Sequence, residues 1–281
     1  MGKIEHIYNE SENLAKNHYE NFPVISYFLP KNFRKPVSLL YQFSRTADDI
    51  ADEGDLSDEK RIRKLEEYKN SFSKCLVEKY ENDFWKELHS TIIKFDLTPK
   101  YFYDLIKAFK MDCKKKRFKN FDEVLYYCSH SANPVGRIML EFINIRDEKA
   151  KEYSDNICTA LQLTNFYQDL SRDILKDRIY IPLDELEQFN ISPDDIKSNI
   201  VNVEFLSLIE NQVSRTRKYY DAGKNLIPLL PFNFKRQIKM TILGGEEILN
   251  KIESQNYDVI NKRPILRKID YIKIMIKSLF A

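Results

Sequence analysis

Apolar residues along this chain recur mostly at the spacing of one helical face. Two rows with this spacing are Ile62-Leu65-Tyr68-Phe72 and Tyr101-Leu105-Ile106-Phe109. Alternating β-branched runs between tight turns, which would indicate strands, are nearly absent. The pattern therefore predicts an all-α protein.

The same periodicity, read together with turn and capping signals, gives a set of helical segments. They are residues 4–19, 35–51, 58–80, 83–95, 99–113, 121–142, 147–174, 202–221, 232–251 and 266–279. The chain has 281 residues but only six glycines, and no Gly/Ser-rich linker divides it. We therefore expect residues 1–281 to form a single helical domain.

Composition excludes some classes of protein and some locations. The net charge is only +2, from 45 basic and 43 acidic residues, which does not indicate a nucleic-acid partner. The four cysteines are widely spaced without a CxxC pair, as in free thiols of a reducing compartment. The N-terminus shows no apolar signal region, and no run of 18 apolar residues occurs. We expect a cytoplasmic protein.

A run of basic residues, 114–117, follows a predicted helix. Positive charge near a helix C-terminus complements the macrodipole, so a solvated helix end is the favoured interpretation. Peripheral contact with a membrane surface is the alternative.

The first acidic motif lies in the helix predicted over residues 35–51. Asp48 and Asp52 are four apart, which places both carboxylates on one helical face with Tyr41 and Arg45 in the same row. Like charges at this spacing destabilise a helix unless a cation neutralises them. A hard cation such as Mg²⁺ would do so, whereas a solvated acidic helix end is the alternative interpretation.

The second acidic motif repeats this spacing in the helix predicted over residues 147–174. Asp169 and Asp173 are four apart, and Gln162 and Asn165 extend the polar row upstream. If the two acidic helices faced each other, four carboxylates would suit two or three Mg²⁺ ions bridging a diphosphate. Arg45 and Arg178 could add positive charge for phosphate oxygens. A solvated charge row remains the alternative.

Three segments together resemble the squalene/phytoene synthase family, over nearly the whole chain. They are Tyr41…Arg45…Asp48…Asp52, residues 127–136, and Gln162…Asn165-Phe166…Asp169…Asp173…Arg178-Ile-Tyr180-Ile-Pro182. In the middle segment Asn133 and Pro134 replace the family's usual small or aliphatic residues. The resemblance implies a single-domain class I isoprenoid synthase bundle of helices around a central hydrophobic cavity.

Several departures from the commoner family pattern resemble a hopanoid-associated bacterial branch. They are residues 20–24, Gln168 where an arginine is commoner, the pair Gly244-Gly245, and Lys262-Arg263-Pro264. That branch ionises presqualene diphosphate and captures the rearranged cation with water to give hydroxysqualene. The alternative within the family is head-to-head condensation of two farnesyl or geranylgeranyl diphosphates to presqualene diphosphate, squalene or phytoene.

The resemblance also implies roles for individual residues. Metal binding carries over to Asp48, Asp52, Asp169 and Asp173. Contact with the diphosphate carries over to Arg45 and Arg178, with Tyr41 and Tyr180 nearby. Gln168 stands where the family commonly has an arginine, and its side chain carries no charge to bind the diphosphate.

Other candidate roles rest on chemistry. Aromatic faces that could stabilise a carbocation are Phe22, Tyr127 and Phe166, with ordinary core packing as the favoured alternative for each. Candidates to place the capturing water are Asn133, Asn165 and Gln168, with hydrogen bonding within the helices or diphosphate contact as the alternatives. His18, just before the 20–24 segment, is a further candidate near the substrate, with a surface or core histidine as the alternative.

The resemblance and the motifs also bear on cofactors, on partner enzymes and on other protein classes. The branch implies Mg²⁺ without NADPH, and a functional partnership with a presqualene diphosphate synthase and a hydroxysqualene reductase. No GxGxxG or ExxH motif occurs, so neither a Rossmann nucleotide site nor a di-iron bundle is expected. A non-catalytic helical scaffold would be marked by loss of the aspartates, and all four are present.

Overall fold

The structure, a computed structural model, describes residues 31–114 and 116–280. These residues form helices and connecting turns, without a strand among them. Numbered from the first described helix, the α-helices are α1 Lys31–Asp52, α2 Asp58–Cys75, α3 Asp83–Phe95, α4 Pro99–Lys114, α5 Phe121–Ser131, α6 Asn133–Phe142, α7 Glu148–Gln168, α8 Leu170–Asp173, α9 Leu183–Gln188, α10 Pro193–Lys197, α11 Val203–Gly223, α12 Phe232–Ser254 and α13 Lys268–Phe280. Two 3₁₀ turns cover Ile174–Lys176 and Lys224–Leu229. The all-α prediction is confirmed.

Most predicted helices are present within a few residues, but three predictions of extent were wrong. The helix predicted over 58–80 ends at Cys75. Three residues later Glu78 adopts a left-handed backbone, which is incompatible with a continuing helix. The helix predicted over 121–142 is two helices, α5 and α6. Proline fits only near a helix start, so Pro134 makes the helix begin again at Asn133.

The third correction concerns the helix predicted over 147–174. It stops at Gln168, and α8 continues for one turn after an irregular Asp169 (φ −102°, ψ 9°). Backbone bonds from Asp169 N to Asn165 O and from Asp173 N to Asp169 O, 2.8 and 2.9 Å long, still run through the break. The short helices α9 and α10 were not predicted, and the segment 4–19 lies outside the described residues.

The described residues belong to two compact units. Among the described residues, unit 1 comprises 31–114 and 134–151, and unit 2 comprises 116–133 and 152–280. The first acidic motif belongs to unit 1 and the second to unit 2. Whether the two motifs face each other across a central cavity therefore stays a prediction.

The core of unit 1 is an aromatic cluster around Phe43. Its ring centroid lies 5.1–5.3 Å from those of Tyr68, Phe72 and Phe102, and 6.3 Å from that of Trp85. These rings come from all four helices α1–α4, and the Tyr68 hydroxyl donates to the Phe43 carbonyl at 3.1 Å. The cluster fixes which face of α1 is buried.

The core of unit 2 joins α7 to α11 through buried hydroxyls. The Tyr167 hydroxyl donates to Gln212 Oε1 at 3.1 Å, and the hydroxyls of Thr164 and Tyr220 are 3.0 Å apart. Burial raises the pKa of Tyr167 to about 12, so this phenol stays a donor. Among the described helices none is long and apolar enough to cross a membrane.

Candidate functional site

The first acidic motif occupies the face of α1 opposite the aromatic core. Phe43, Ala47 and Ala51 form the buried row of this helix at four-residue spacing. Arg45 and Asp48 lie outside this buried row and are partly exposed. Because the core fixes one face, the polar row must point away from it. The helix predicted for this motif is confirmed.

Arg45 forms ion pairs with several carboxylates of the first motif. Its guanidinium nitrogens lie 2.9 Å from Asp48 Oδ2, 2.7 Å from Asp49 Oδ1 and 2.6 Å from Glu53 Oε1. One guanidinium thus pairs with three carboxylates, and the cluster as a whole keeps a net negative charge. The sequence reading placed Arg45 beside Asp48 but assigned no role to Asp49 or Glu53.

Tyr41 shares the electrostatic environment of this cluster. Burial raises the pKa of the Tyr41 hydroxyl. The Arg45 charge opposes that rise, and the carboxylates of Asp48 and Asp49 add to it. The phenol therefore stays protonated at neutral pH and can donate a hydrogen bond from beside the carboxylates.

The second acidic motif is tied to a distant part of the chain. Arg263 Nε donates to Asp169 Oδ1 at 2.6 Å, whereas Arg172, three residues from Asp169, lies 3.9 Å from the same oxygen. Asp169 and Arg263 are both largely covered. A charge-assisted bond of this length holds the carboxylate in a defined orientation.

Gln168, the residue before this aspartate, is 1% exposed. Its Nε2 donates to the Pro264 carbonyl at 2.8 Å. A carbonyl can only accept, so this contact fixes which end of the amide is the nitrogen. The other end, Oε1, is buried and has no hydrogen-bond donor among the described residues.

Four buried aromatic rings lie next to this motif. Phe166 and Tyr180 are stacked with ring centroids 3.9 Å apart and planes 5° from parallel. Tyr127 lies 6.0 Å from both rings, and Phe118 lies 5.7 Å from Tyr127 and from Tyr180. The structure thus brings together three of the predicted site residues, Tyr127, Phe166 and Tyr180, and adds Phe118.

The turn after α8 positions Tyr180. Asp177 has a left-handed backbone (φ 55°), and its carboxylate Oδ1 lies 2.7 Å from Arg117 and 2.8 Å from Lys197. The bonds from Lys197 and Arg117 lower the pKa of Asp177 to about 2. Beyond the turn, the Ile179 amide donates to the Lys116 carbonyl at 3.2 Å. Arg117 of the basic run thus secures a turn and is not simply a solvated helix end.

Asn133 is buried and engaged within unit 2. Its Oδ1 accepts a hydrogen bond from the Thr159 hydroxyl at 3.1 Å, which links the start of α6 to α7. Asn165, Asp173 and Arg178 are partly exposed at the end of α7, in α8 and after the turn.

A comparison with protein families decides the classification. The squalene/phytoene synthase model matches residues 15–270, which span both units. The chain belongs to the squalene/phytoene synthase family. It is thus an enzyme of the prenyl-diphosphate type that this family represents.

Relatives of two kinds within this family are similar to the chain. A hydroxysqualene synthase from Sinorhizobium fredii is 28% identical over 247 residues, which cover 86% of this chain and 82% of that protein. A 15-cis-phytoene synthase from Synechococcus elongatus is 24% identical over 284 residues, 96% of this chain and 92% of that protein.

A solved structure supports the same family and fold. The crystal structure of squalene synthase HpnC from Alicyclobacillus acidocaldarius matches with a TM-score of 0.85 and 33% identity. The match covers 91% of this chain and 96% of that one. The isoprenoid synthase fold that the sequence predicted is confirmed.

Some features of this squalene/phytoene synthase site were not predicted from the sequence. Arg263 was noted as part of a branch-specific segment, but its partner Asp169 is 94 residues away and no spacing rule connects them. Phe118 is not part of any motif that the sequence analysis identified. His18 and Phe22 lie outside the described residues. Within the described part of the chain, no three His, Cys, Asp or Glu residues are grouped as a metal site.

Proposed function

We propose that this enzyme ionises presqualene diphosphate and adds water to the rearranged cation to form hydroxysqualene. One observation carries the proposal. The Asp169 carboxylate, which Arg263 holds in place, comes three residues after Phe166, whose buried ring is stacked on Tyr180. Similarity to hydroxysqualene synthases supports this choice of reaction. Asp169 belongs to the diphosphate end of the site and Phe166 to the hydrocarbon end, three residues apart.

Mg²⁺ is the metal that the donor set fits. Asp48, Asp52, Asp169 and Asp173 offer hard carboxylate oxygens, and Arg45 and Arg263 already place positive charge against two of them. Mg²⁺ commonly uses one or two carboxylates together with waters and phosphate oxygens, so a ready-made cluster of three protein ligands is not required. When bound, the ion would neutralise the diphosphate as the carbon–oxygen bond breaks.

Arginine and tyrosine side chains would bind the diphosphate. The Arg45 guanidinium can exchange carboxylate oxygens for phosphate oxygens, to which its forked geometry is equally suited. The Tyr41 phenol, kept protonated by burial, can donate to the same group. Arg178 follows the turn that Asp177 holds, and its guanidinium would add a further forked contact.

The aromatic residues would stabilise the carbocation left behind. The stack of Phe166 on Tyr180, with Tyr127 beside it, presents π-faces whose negative quadrupole attracts a cation. These π-faces stabilise the cation without forming a bond to it. Water must therefore be admitted at a defined place.

Gln168 is our candidate for placing that water. Its Oε1 is a buried acceptor without a donor among the described residues, and its Nε2 is fixed on the Pro264 carbonyl. A buried amide oxygen that accepts no hydrogen bond from the protein is a favourable place for a bound water. The water would donate to Oε1 and attack the rearranged cation through its oxygen, and the proton lost from the resulting oxonium would pass to the departed diphosphate.

The experiment that tests the reaction is incubation of the purified enzyme with presqualene diphosphate and Mg²⁺, without NADPH. We expect hydroxysqualene, identified by mass spectrometry, with incorporation of ¹⁸O from labelled water. If presqualene diphosphate is left unchanged, while farnesyl or geranylgeranyl diphosphate alone is condensed, the proposal is wrong. Condensation is the second candidate because the phytoene synthase similarity extends over 96% of the chain.

Two carboxylate variants test the metal assignment. Asp48→Asn and Asp169→Asn each keep the size of the side chain but remove a hard anionic ligand, and we expect turnover to fall at least about a hundredfold. Asp55→Asn, in the exposed loop after α1, is the matched control and should retain activity. Turnover equal to the control in either site variant, at saturating Mg²⁺, would contradict the assignment.

A further inference from the structure

The helix α13, Lys268–Phe280, is attached to unit 2 by a largely polar face. Asp270, Ile274 and Ser278 are its buried residues, at four-residue spacing. The Asp270 carboxylate accepts from the Arg267 amide at 2.6 Å and pairs with Lys251 of α12 at 2.9 Å. An ion pair and one buried isoleucine thus take part in the attachment of this helix.

The outward side of the same helix is apolar, which reverses the usual arrangement of a surface helix. Its large apolar side chains are 41–59% exposed, and they are Ile269, Ile272, Met275, Ile276 and Leu279. Positions 269, 272, 276 and 279 form a stripe at helical spacing. A contiguous exposed apolar stripe generally marks an interaction surface.

The charges on this helix indicate what the surface meets. Its exposed charged residues are Lys268, Lys273 and Lys277, all basic. Its one acid, Asp270, is buried and paired. Apolar residues flanked by lysines are typical of helices that lie in the plane of an anionic membrane surface. A second copy of the chain fits less well, because a two-fold contact would bring lysines of both copies together.

We propose that α13 docks this enzyme on anionic lipid surfaces, with its apolar stripe in the headgroup region and its lysines on the phosphates. The helix would lie on the surface. The inference depends on the exposed face of α13 alone and holds whichever reaction the enzyme catalyses.

Vesicle co-sedimentation of the full chain tests the proposal. Wild-type protein should sediment with phosphatidylcholine vesicles that contain a minority of phosphatidylglycerol, and less with pure phosphatidylcholine or at high salt. Ile272→Ser/Ile276→Ser should lower the partition coefficient at least about tenfold through lost apolar burial. Lys273→Gln/Lys277→Gln should lower binding to the anionic vesicles specifically.

Matched double variants elsewhere serve as controls. Val77→Ser/Ile93→Ser replaces two side chains that are 62% and 67% exposed, and Lys60→Gln/Lys64→Gln removes two exposed lysines at the same four-residue spacing. Both should bind like wild type. Failure of wild type to bind anionic vesicles, or unchanged binding by both α13 variants, would overturn the proposal. So would a dimer on size-exclusion chromatography that Ile272→Ser/Ile276→Ser dissociates without affecting vesicle binding.

Discussion

At the residue scale, the two adjacent glycines of α12 are in opposite situations. A Cβ on Gly245 would overlap the Tyr220 hydroxyl and lie 2.6 Å from its Cζ, whereas a Cβ on Gly244 would meet nothing within 4 Å. Tyr220 cannot easily move, because it is fully buried and hydrogen-bonded to Thr164. We expect Gly245→Ala to lower the free energy of unfolding by about 2 kcal/mol or more.

Gly244→Ala is the matched control for this prediction. Alanine replaces glycine in a helix interior there without a steric cost, so stability should stay unchanged or rise by up to about 1 kcal/mol. Urea unfolding of both variants measures the difference. Equal free energies of unfolding for the two variants would contradict the prediction, because Tyr220 would then shift its position at little energetic cost. From the sequence this pair was noted only as a feature of the hopanoid-associated branch, since nothing local separates the two glycines.

At the element scale, predictions succeeded where the signals are local. The extents of α3 and α4 could be predicted because apolar periodicity and turn residues lie within the segment itself. The break at Asp169 could not, since the side chains of Asp169 and Gln168 bind residues 94 and 96 positions away. For the same reason the spacing of Asp169 and Asp173 indicated a shared face, but not that Arg263 pairs with Asp169.

The turn at Asp177 gives an element-scale prediction about pH. Its folded-state pKa of about 2 lies below the ordinary 3.8, because Lys197 and Arg117 favour the ionised form. The ion pairs therefore stabilise the fold fully above about pH 4, and this contribution is lost as the pH falls towards 2. Asp177→Asn should be less stable than wild type at pH 7, and the gap should close in acid. Urea titrations at stepwise pH measure it, and a gap that is constant down to pH 3 would exclude the carboxylate charge as its source.

At the scale of the whole molecule, cysteines report on each unit separately. Cys75 belongs to unit 1 and Cys128 to unit 2, and both are fully buried. Burial raises the pKa of Cys75 to about 11 and that of Cys128 to about 12, so both thiols stay protonated as well as covered in the folded protein. A thiol reagent that attacks only thiolates should label neither until its unit opens.

Labelling across a denaturant series then tests whether residues 1–281 behave as one domain. The chain passes between the units at 114/115, 133/134 and 151/152, and α7 begins in unit 1 and continues in unit 2. Unfolding either unit would fray a helix of the other, so we expect Cys75 and Cys128 to become reactive at the same denaturant midpoint. Mass spectrometry of the labelled peptides resolves the two sites. Two separate midpoints would instead make unit 1 and unit 2 independent domains, and the aspartate motifs would then belong to parts of the chain that fold separately.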